Sequence, residues 1–171
     1  MQRRRSAEAA RFTWYWSTQT FAALKIISGG QTGADRAALD WAIARGVEHG
    51  GWCPAGRKAE DGPLDPIYNL SETSSGNYRR RTVRNVRDSD ATLIVNVGEL
   101  DGGSLETLRI AHRENKPARV VALDQVLDDS VIEELRAWAQ AFDTLNVAGP
   151  RESKRPGIYR ATRDFLQRLF R

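Results

Sequence analysis

The feature that most constrains the fold is a regular alternation of short apolar runs with longer stretches of helical period. Predicted strands lie at 24–28, 91–97, 119–123 and 145–147, with a weaker one at 49–52, and predicted helices lie at 34–46, 76–88, 104–115, 130–142 and 156–170. Alternating strands and helices are typical of parallel βαβ units, whose helices cover both faces of a sheet. The sequence therefore predicts an α/β fold: an open, doubly wound domain built on a mostly parallel, five-stranded sheet flanked by helices.

Length, charge and cysteine content limit the kinds of function that this chain can have. A chain of 171 residues suits one domain with a sizeable core. No stretch approaches the roughly 18 apolar residues of a membrane span, so no membrane partner is expected. The net charge of +4 allows an anionic ligand but does not by itself indicate nucleic acid. The single cysteine, Cys53, excludes an internal disulfide, and a reduced, cytoplasmic protein without a metal centre is the simplest interpretation.

The first residues differ from the rest. Residues 1–22 carry Arg3-Arg4-Arg5 and Trp14-Tyr15-Trp16 but no continuous apolar core of a signal peptide. We interpret 1–22 as an N-terminal extension or arm to a ligand-binding domain at 23–171. An overlong start is an equally good interpretation.

A glycine-rich turn follows the first predicted strand. Its glycines leave backbone N–H groups unobstructed, and the helix behind adds the positive end of its dipole, so the turn suits a phosphate or another oxyanion. The residues are Gly29, Gly30, Gln31, Thr32 and Gly33, followed by Asp35 and Arg36. A structural interpretation stays open, because Thr32 and Asp35 approximate a capping box. Asp35 either caps the helix or holds a ribose hydroxyl or a cation near the ligand.

Two further segments follow predicted strands. "DGGSLET" at 101–107 repeats the design of the first turn, which makes Gly102, Gly103, Ser104 and Glu106 candidates for the same site; Glu106 is either a general acid or base or a capping group. The long stretch 53–75 suggests a functional or mobile loop, with Arg57 and Asp61 as candidates for closing over the ligand. Since ligands of open α/β sheets collect at the carboxyl ends of the strands, we expect one shared site. Placing both glycine turns together favours strand order 2-1-3-4-5 over 3-2-1-4-5.

The arginine run "NYRRRTVRNVRDSD" divides by helical phase. Arg80, Arg84 and Arg87 share a face that we expect to be solvated, whereas Arg81 and Asn85 lie at the edge of the apolar stripe. From that edge Arg81 could reach an anion over the strand ends, or it could pair with Asp88 or Asp90. A nucleic-acid-binding module would rest on this run alone and is not favoured.

Four ordered blocks carry a family resemblance: "KIISGGQTGADRAALDWAI", "HGGWCPAGRKAEDGPL", "YRRRTVRNVRDSDATLIV" and "LNVAGPRESKRPGIY". Over residues 24–170 the chain resembles the putative molybdenum carrier family. That family belongs to the Rossmann-like group that includes the cytokinin-activating phosphoribohydrolases. The resemblance implies a Rossmann-like sheet and a pocket for nucleotide-like or pterin-phosphate ligands. It also implies kinship to proteins that carry molybdenum cofactor.

The second glycine turn departs from its counterpart in the phosphoribohydrolases. Gly102-Gly103 is similar to their "PGGxGTxxE" stretch, but Asp101, Leu105, Glu106 and Arg109 replace the proline, the later glycine, the threonine and the carboxylate. These departures favour binding over hydrolysis.

The functional prediction is accordingly a molybdenum carrier that binds molybdenum cofactor, molybdate, or a nucleotide-like ligand at the glycine-rich turns. The alternative is a nucleoside-phosphate hydrolase, an N-glycosidase that would use Glu106 or Asp35 as its acid or base. A homo-oligomer is expected, because Rossmann-like relatives often pair.

Overall fold

The computed structural model describes residues 24–171, so the extension predicted at 1–22 lies outside the described residues. Nine strands occur within that range: β1 (Lys25–Ile27), β2 (Glu48–Gly50), β3 (Trp52–Cys53), β4 (Lys58–Ala59), β5 (Gly62–Pro63), β6 (Ser71–Glu72), β7 (Ala91–Asn96), β8 (Ala118–Ala122) and β9 (Thr144–Ala148). The main sheet has the order β2-β1-β9-β7-β8, and all its neighbouring strands are parallel.

Five helices cover the sheet: α1 (Ala34–Arg45), α2 (Tyr78–Arg87), α3 (Gly102–Arg113), α4 (Asp129–Gln140) and α5 (Ile158–Leu169). Helices α1, α4 and α5 pack together over the main core, whereas α2 and α3 meet around Val86, Ile110 and Ala111. Right-handed crossovers that lead in opposite directions place these two groups on opposite faces. No helix in this part of the chain is long and apolar enough to cross a membrane.

Burial follows position in the sheet. All six residues of β7 are buried, as expected for an inner strand covered on both faces, whereas Arg119 and Val120 of the edge strand β8 are exposed. Helix α5 presents the stripe predicted from its sequence, and Ile158, Phe165 and Leu166 are buried in the main core. Burying each such side chain contributes roughly 1.5–3 kcal/mol.

The predicted fold class is confirmed: the chain forms an α/β, Rossmann-like, parallel five-stranded sheet flanked by helices. The preference for strand order 2-1-3-4-5 is wrong. Counting the five strands of the main sheet along the chain, the order is 2-1-5-3-4, because β9 inserts between β1 and β7. The last strand, β9, is therefore the central one, and its Leu145 and Val147 are fully buried.

The stretch between β2 and α2 has secondary structure of its own. β3 pairs with β6 in parallel, and β4 and β5 form an antiparallel hairpin. Leu64 and Leu70 pack with Cys53 and Leu39 in a small second core. Burial raises the pKa of the Cys53 thiol.

Candidate ligand-binding site

A cavity of about 360 Å³ lies at the carboxyl ends of the inner strands. The segments that follow β1, β7 and β9 all contribute to its wall, together with residues of α2 between Tyr78 and Asn85. The crossovers from β1 and β7 lead in opposite directions, to β2 and β8, so the cavity lies where the strand order reverses. Ligands of open α/β sheets bind at this position.

Gly29 makes room for an arginine from α2. A Cβ at Gly29 would lie 1.2 Å from Arg81 Nη1, so the guanidinium occupies the space of the missing side chain. Arg81 Nη1 donates to Asp35 Oδ2 at 2.6 Å, and the Asp35 side chain is only 3% exposed. Arg81 therefore pairs with Asp35 rather than with Asp88 or Asp90. It lies on the cavity wall, where its edge position on α2 predicted it.

The N-terminus of α1 is not capped by the capping box of Thr32 and Asp35 that the sequence suggested. Gly33 is the N-cap residue, and no side chain caps the helix. Thr32 Oγ1 instead donates to Glu60 and accepts a hydrogen bond from Glu152 N. The carboxylate of Asp35 instead accepts a hydrogen bond from Arg81, so in this structure it holds a side chain of the protein at the cavity. Its predicted contact with a ligand stays a prediction.

The second glycine turn also seats a cation. Helix α3 begins at Gly102, and a Cβ there would lie 2.5 Å from Lys154 Nζ. Asp101 is the N-cap residue, yet its carboxylate makes no capping hydrogen bond and instead accepts from Lys154 at 2.7 Å. That contact holds the pKa of Asp101 below its ordinary value. Helix α3 thus reaches the cavity with an N-terminus that no side chain caps.

Gly103 differs from the other glycines of the two turns in having free space where a side chain would lie. A Cβ at Gly103 would meet nothing within 4 Å, and its backbone is not left-handed. The fold therefore does not require glycine at this position. The absent side chain leaves open space beside the first turn of α3, on the wall of the cavity.

Charge on the cavity wall is mixed. Four cations, Arg79, Arg81, Arg151 and Lys154, lie there with three carboxylates, Asp35, Asp101 and Glu106. Glu106 Oε1 lies 3.0 Å from Arg79 Nε and 3.9 Å from Arg113 Nη2, and Arg151 Nη1 lies 3.9 Å from Glu60 Oε2. Positive groups and an uncapped helix N-terminus equip the cavity to bind an anion.

Nine of the fifteen residues predicted for the site lie on this cavity: Gly29, Gln31, Asp35, Arg81, Asn85, Gly102, Gly103, Ser104 and Glu106. The side-chain amide of Asn85 is already engaged, since it accepts from Trp52 N at 2.8 Å and donates to Trp52 O at 3.0 Å. Gln31 Oε1 likewise accepts from the backbone N–H groups of Thr32 and Glu60. These two side chains hold the cavity wall in place.

The other six predicted residues lie off the cavity wall: Gly30, Thr32, Gly33, Arg36, Arg57 and Asp61. Arg36 forms a bidentate pair with Asp61, with both N–O distances 3.1 Å. Arg57 donates to four backbone carbonyls of its own segment, those of Leu64, Leu70, Asp65 and Tyr68. In this structure Arg57 and Asp61 therefore stabilise the loop and its contact with α1.

Sequence reasoning missed the segment between β9 and α5 as part of the site. Gly149, Pro150, Arg151 and Lys154 line the cavity, and Asn146 of β9 forms part of its wall. The signal was present, since "GPRESKRPG" follows an apolar strand, contains three cations and precedes a helix. It was not found because the predicted strand orders did not place the last strand at the centre.

The described residues, 24–171, contain no group of three or more His, Cys, Asp or Glu that could hold a metal ion. The ring centroids of Trp41 and Phe170 lie 5.1 Å apart with their planes tilted by 36°, and both residues belong to the main core.

A parallel, doubly wound sheet, with a cavity lined by glycine turns and cations where its strand order reverses, defines a Rossmann-like domain. The model of the circularly permutated YpsA SLOG family matches residues 26–170, and the chain belongs to that family. No protein of curated function matches it.

A solved structure is also similar. The crystal structure of a "Putative molybdenum carrier protein" from Syntrophus aciditrophicus SB is 46% identical, with a TM-score of 0.82, and the match covers 86% of this chain and 95% of that one. The resemblance to the molybdenum carrier family that the four sequence blocks carried is confirmed.

The strand order shows which strand and helix of this chain are permuted relative to a Rossmann fold. If β9 and α5 are placed before β1, the five strands take the order 3-2-1-4-5, which is the order of the first five strands in the dinucleotide-binding Rossmann fold. The last strand and helix of this chain thus occupy the place of the first strand and helix in that fold. The segment between β9 and α5 corresponds to its phosphate-binding loop.

Proposed function

We propose that this protein is a molybdenum carrier that binds its cargo in the cavity, as molybdenum cofactor or another ligand with an anionic head. The observation that carries the proposal is a repeated arrangement. At each of two glycine turns a cation occupies the space of a missing side chain, Arg81 at Gly29 and Lys154 at Gly102. Both turns open onto one cavity.

Lys154, the second of these cations, lies in a position that is unfavourable for a positive charge without a nearby anion. Lys154 Nζ lies over the first residue of α3, where the helix dipole is itself positive. At present the Asp101 carboxylate is its counter-charge. A phosphate or oxyanion at the open space beside Gly103 would accept hydrogen bonds from the α3 backbone and from Lys154 together.

The size of the cavity supports an organic ligand. A volume of about 360 Å³ falls in the range of roughly 300–1,000 Å³ that is usual for small-molecule sites. A bare tetrahedral oxyanion would fill only part of it. A pterin phosphate or a nucleoside monophosphate suits the space, with its anionic group at α3 and its remainder against the polar wall formed by Thr82, Asn85 and Asn146.

The two candidate catalytic carboxylates have other roles in this proposal. Asp35 is buried and held by Arg81, and Glu106 is held by Arg79 and Arg113. We assign them to positioning these arginines. A cytoplasmic location and a homo-oligomeric state stay predictions.

The proposal is tested by calorimetry and thermal shift on the wild-type chain with molybdate, molybdenum cofactor, AMP and inorganic phosphate. A ligand present at 100 times its Kd should add about 2.7 kcal/mol to the free energy of unfolding. Gly103→Asp is the matched variant, because the new carboxylate enters open space and should leave the fold intact while it repels an anion. Gly103→Ala is the neutral control for size.

The expected result is binding of the cofactor or of molybdate that Gly103→Asp abolishes and Gly103→Ala weakens less. Equal affinity in the wild type and in Gly103→Asp would rule out the α3 position. Release of free base from AMP, lost on Glu106→Gln, would support the hydrolase instead.

A further inference from the structure

Three buried amide side chains lie on the cavity wall, and they differ in how much of their hydrogen-bonding capacity the protein uses. The exposed fraction is 7% for Gln31 and 2% for both Asn85 and Asn146. The amide of Asn85 is satisfied by the backbone of Trp52, from which it accepts and to which it donates. The other two amides are each satisfied at one atom only.

Gln31 keeps a hydrogen-bond donor for the cavity. Its Oε1 accepts from Thr32 N at 3.0 Å and from Glu60 N at 2.9 Å, and because both partners are donors they fix which end of the amide is the oxygen. Nε2 donates to no residue in the described range 24–171. It is also not among the atoms of that range that are both enclosed and without a partner, so it reaches the open space that Gln31 lines.

Asn146 keeps a hydrogen-bond acceptor. Its Nδ2 donates to Thr92 Oγ1 at 3.3 Å, whereas its Oδ1 accepts from no residue that the structure describes and is likewise not enclosed. Leaving a buried polar group without a partner costs free energy, and folded proteins rarely do so. A donor and an acceptor on one cavity wall therefore indicate a ligand that supplies the complementary pair.

The fold places these two amides at one side of the cavity. The last residue of β1 is paired in register with Asn146, and Gln31 lies on the turn just beyond β1. Gly103 lies after β7, which is on the other side of β9. The charge of Arg81, beside the turn of Gln31, is compensated by Asp35. This side of the cavity therefore suits an uncharged polar group.

We propose that Gln31 and Asn146 are specificity-determining residues that bind the edge of a nitrogen heterocycle. Gln31 Nε2 donates to a carbonyl oxygen or ring nitrogen of the ligand, and Asn146 Oδ1 accepts from a neighbouring N–H group. Donors and acceptors lie side by side on the edges of pterins and purines, whereas a bare tetrahedral oxyanion has no such edge. That the heterocycle and the anionic group at α3 belong to one ligand rests on the proposed function, whereas the role of the two amides does not.

Calorimetry with three probes tests the proposal. GMP has a purine and a phosphate, ribose 5-phosphate lacks the heterocycle, and neopterin has a pterin without an anionic group. If the edge belongs to a purine, GMP should bind at least about tenfold more tightly than ribose 5-phosphate, because both amides gain partners. If it belongs to a pterin, neopterin should bind, and Gly103→Asp should leave its affinity unchanged. Either result supports the proposal.

Two variants remove the unused groups, and a matched control removes one that the protein already uses. Gln31→Glu keeps the oxygen that accepts from two N–H groups and replaces the donor by an acceptor. Asn146→Leu removes the acceptor at a similar side-chain shape. In the control, Thr107→Val, the lost hydroxyl is also buried on the cavity wall but already donates to Gly103 O at 2.8 Å. Circular dichroism checks that each variant is folded, and either amide variant suffices if the other is not.

We expect each amide variant to lower the affinity for the heterocyclic probe by about tenfold, and Thr107→Val to leave it nearly unchanged. The change in affinity for ribose 5-phosphate measures the effect of the charge that Gln31→Glu adds. Two results would overturn the proposal. One is equal affinity for GMP and ribose 5-phosphate with no binding of neopterin, and the other is a loss in Thr107→Val as large as in the amide variants.

The two proposals fail differently. If neopterin binds and no anion does, the anion position at α3 is refuted and the role of Gln31 and Asn146 stands. If ribose 5-phosphate binds, is lost on Gly103→Asp and is matched by GMP, and neopterin does not bind, the α3 position stands and the role of the two amides is refuted.

Discussion

Gly29 and Gly102 each leave room for a cation that comes from another part of the chain. At Gly29 the guanidinium of Arg81 lies where a Cβ would be, and it neutralises a carboxylate that has almost no contact with solvent. Removing one partner of a buried pair leaves an uncompensated charge, which is strongly destabilising. The glycine is therefore required by an ion pair, not by the backbone conformation of the turn.

Gly29→Ala should destabilise the protein by roughly 3–5 kcal/mol, because Arg81 must leave and Asp35 stays buried without its partner. The measurement is the free energy of unfolding in urea. Gly103→Ala is the control, since its Cβ enters open space within a helix, and it should be neutral or stabilising by up to about 1 kcal/mol. Equal losses in the two variants would show that the Arg81–Asp35 pair contributes little.

At the scale of elements, the sequence predicted the type and approximate bounds of the main strands and helices because apolar periodicity reports them directly. It did not predict where β9 inserts. Helical crossovers are long enough to reach several positions, and the apolar run of β9 is the same whether its neighbours are β1 and β7 or a sheet edge. The missed site residues, Arg151 and Lys154, follow from that one ambiguity.

The short hairpin of β4 and β5 could not be predicted for a different reason. Its two strands have two residues each, which is too short for a pattern of apolar residues to report them. Its tip carries Glu60, whose carboxylate accepts from Thr32 Oγ1 and from Ser153 N and Oγ. Through Glu60 the hairpin joins the first glycine turn to the segment between β9 and α5.

Because Glu60 titrates, the stability that these hydrogen bonds contribute depends on pH. Burial raises the pKa of Glu60, but hydrogen bonds from Ser153 and Thr32 outweigh burial and lower it from its ordinary 4.5. A lowered pKa contributes stability that is complete above pH 4.5 and is lost as the pH falls through the folded-state value. The difference in unfolding free energy between wild type and Glu60→Gln should therefore shrink as the pH is lowered from 7 to 3. A difference that stays constant with pH would contradict this role, since other carboxyl groups titrate equally in both proteins.

At the scale of the whole molecule, the permuted order implies that the domain tolerates a second choice of termini. Cutting between Phe142 and Asp143 and joining residue 171 to residue 1 would place β9 and α5 first and give strand order 3-2-1-4-5. All strand pairs and helix contacts of the described domain are retained in that connectivity. Residues 1–23 would serve as the linker.

We expect this permutant to fold to the same sheet with reduced stability, because only the loop connections change. Circular dichroism and thermal unfolding measure the outcome, and calorimetry compares its ligand binding with that of the wild type. A permutant that stays unfolded would mean that the connection from α4 to β9 is itself required.

The pairing of cavity cations with protein carboxylates affects how easily a bound anion would be released. Arg79, Arg81, Arg151 and Lys154 each have a carboxylate within 4 Å. In the proposed function, an anion that reaches Arg79, Arg151 or Lys154 exchanges with a carboxylate that is already present, and these cations return to that carboxylate when the anion leaves. Arg81 stays paired with the buried Asp35. Such an exchange lowers the affinity that the cations could otherwise provide, but it also lowers the cost of giving the ligand up. A cavity built this way is better suited to releasing a bound ligand to a recipient than to retaining it.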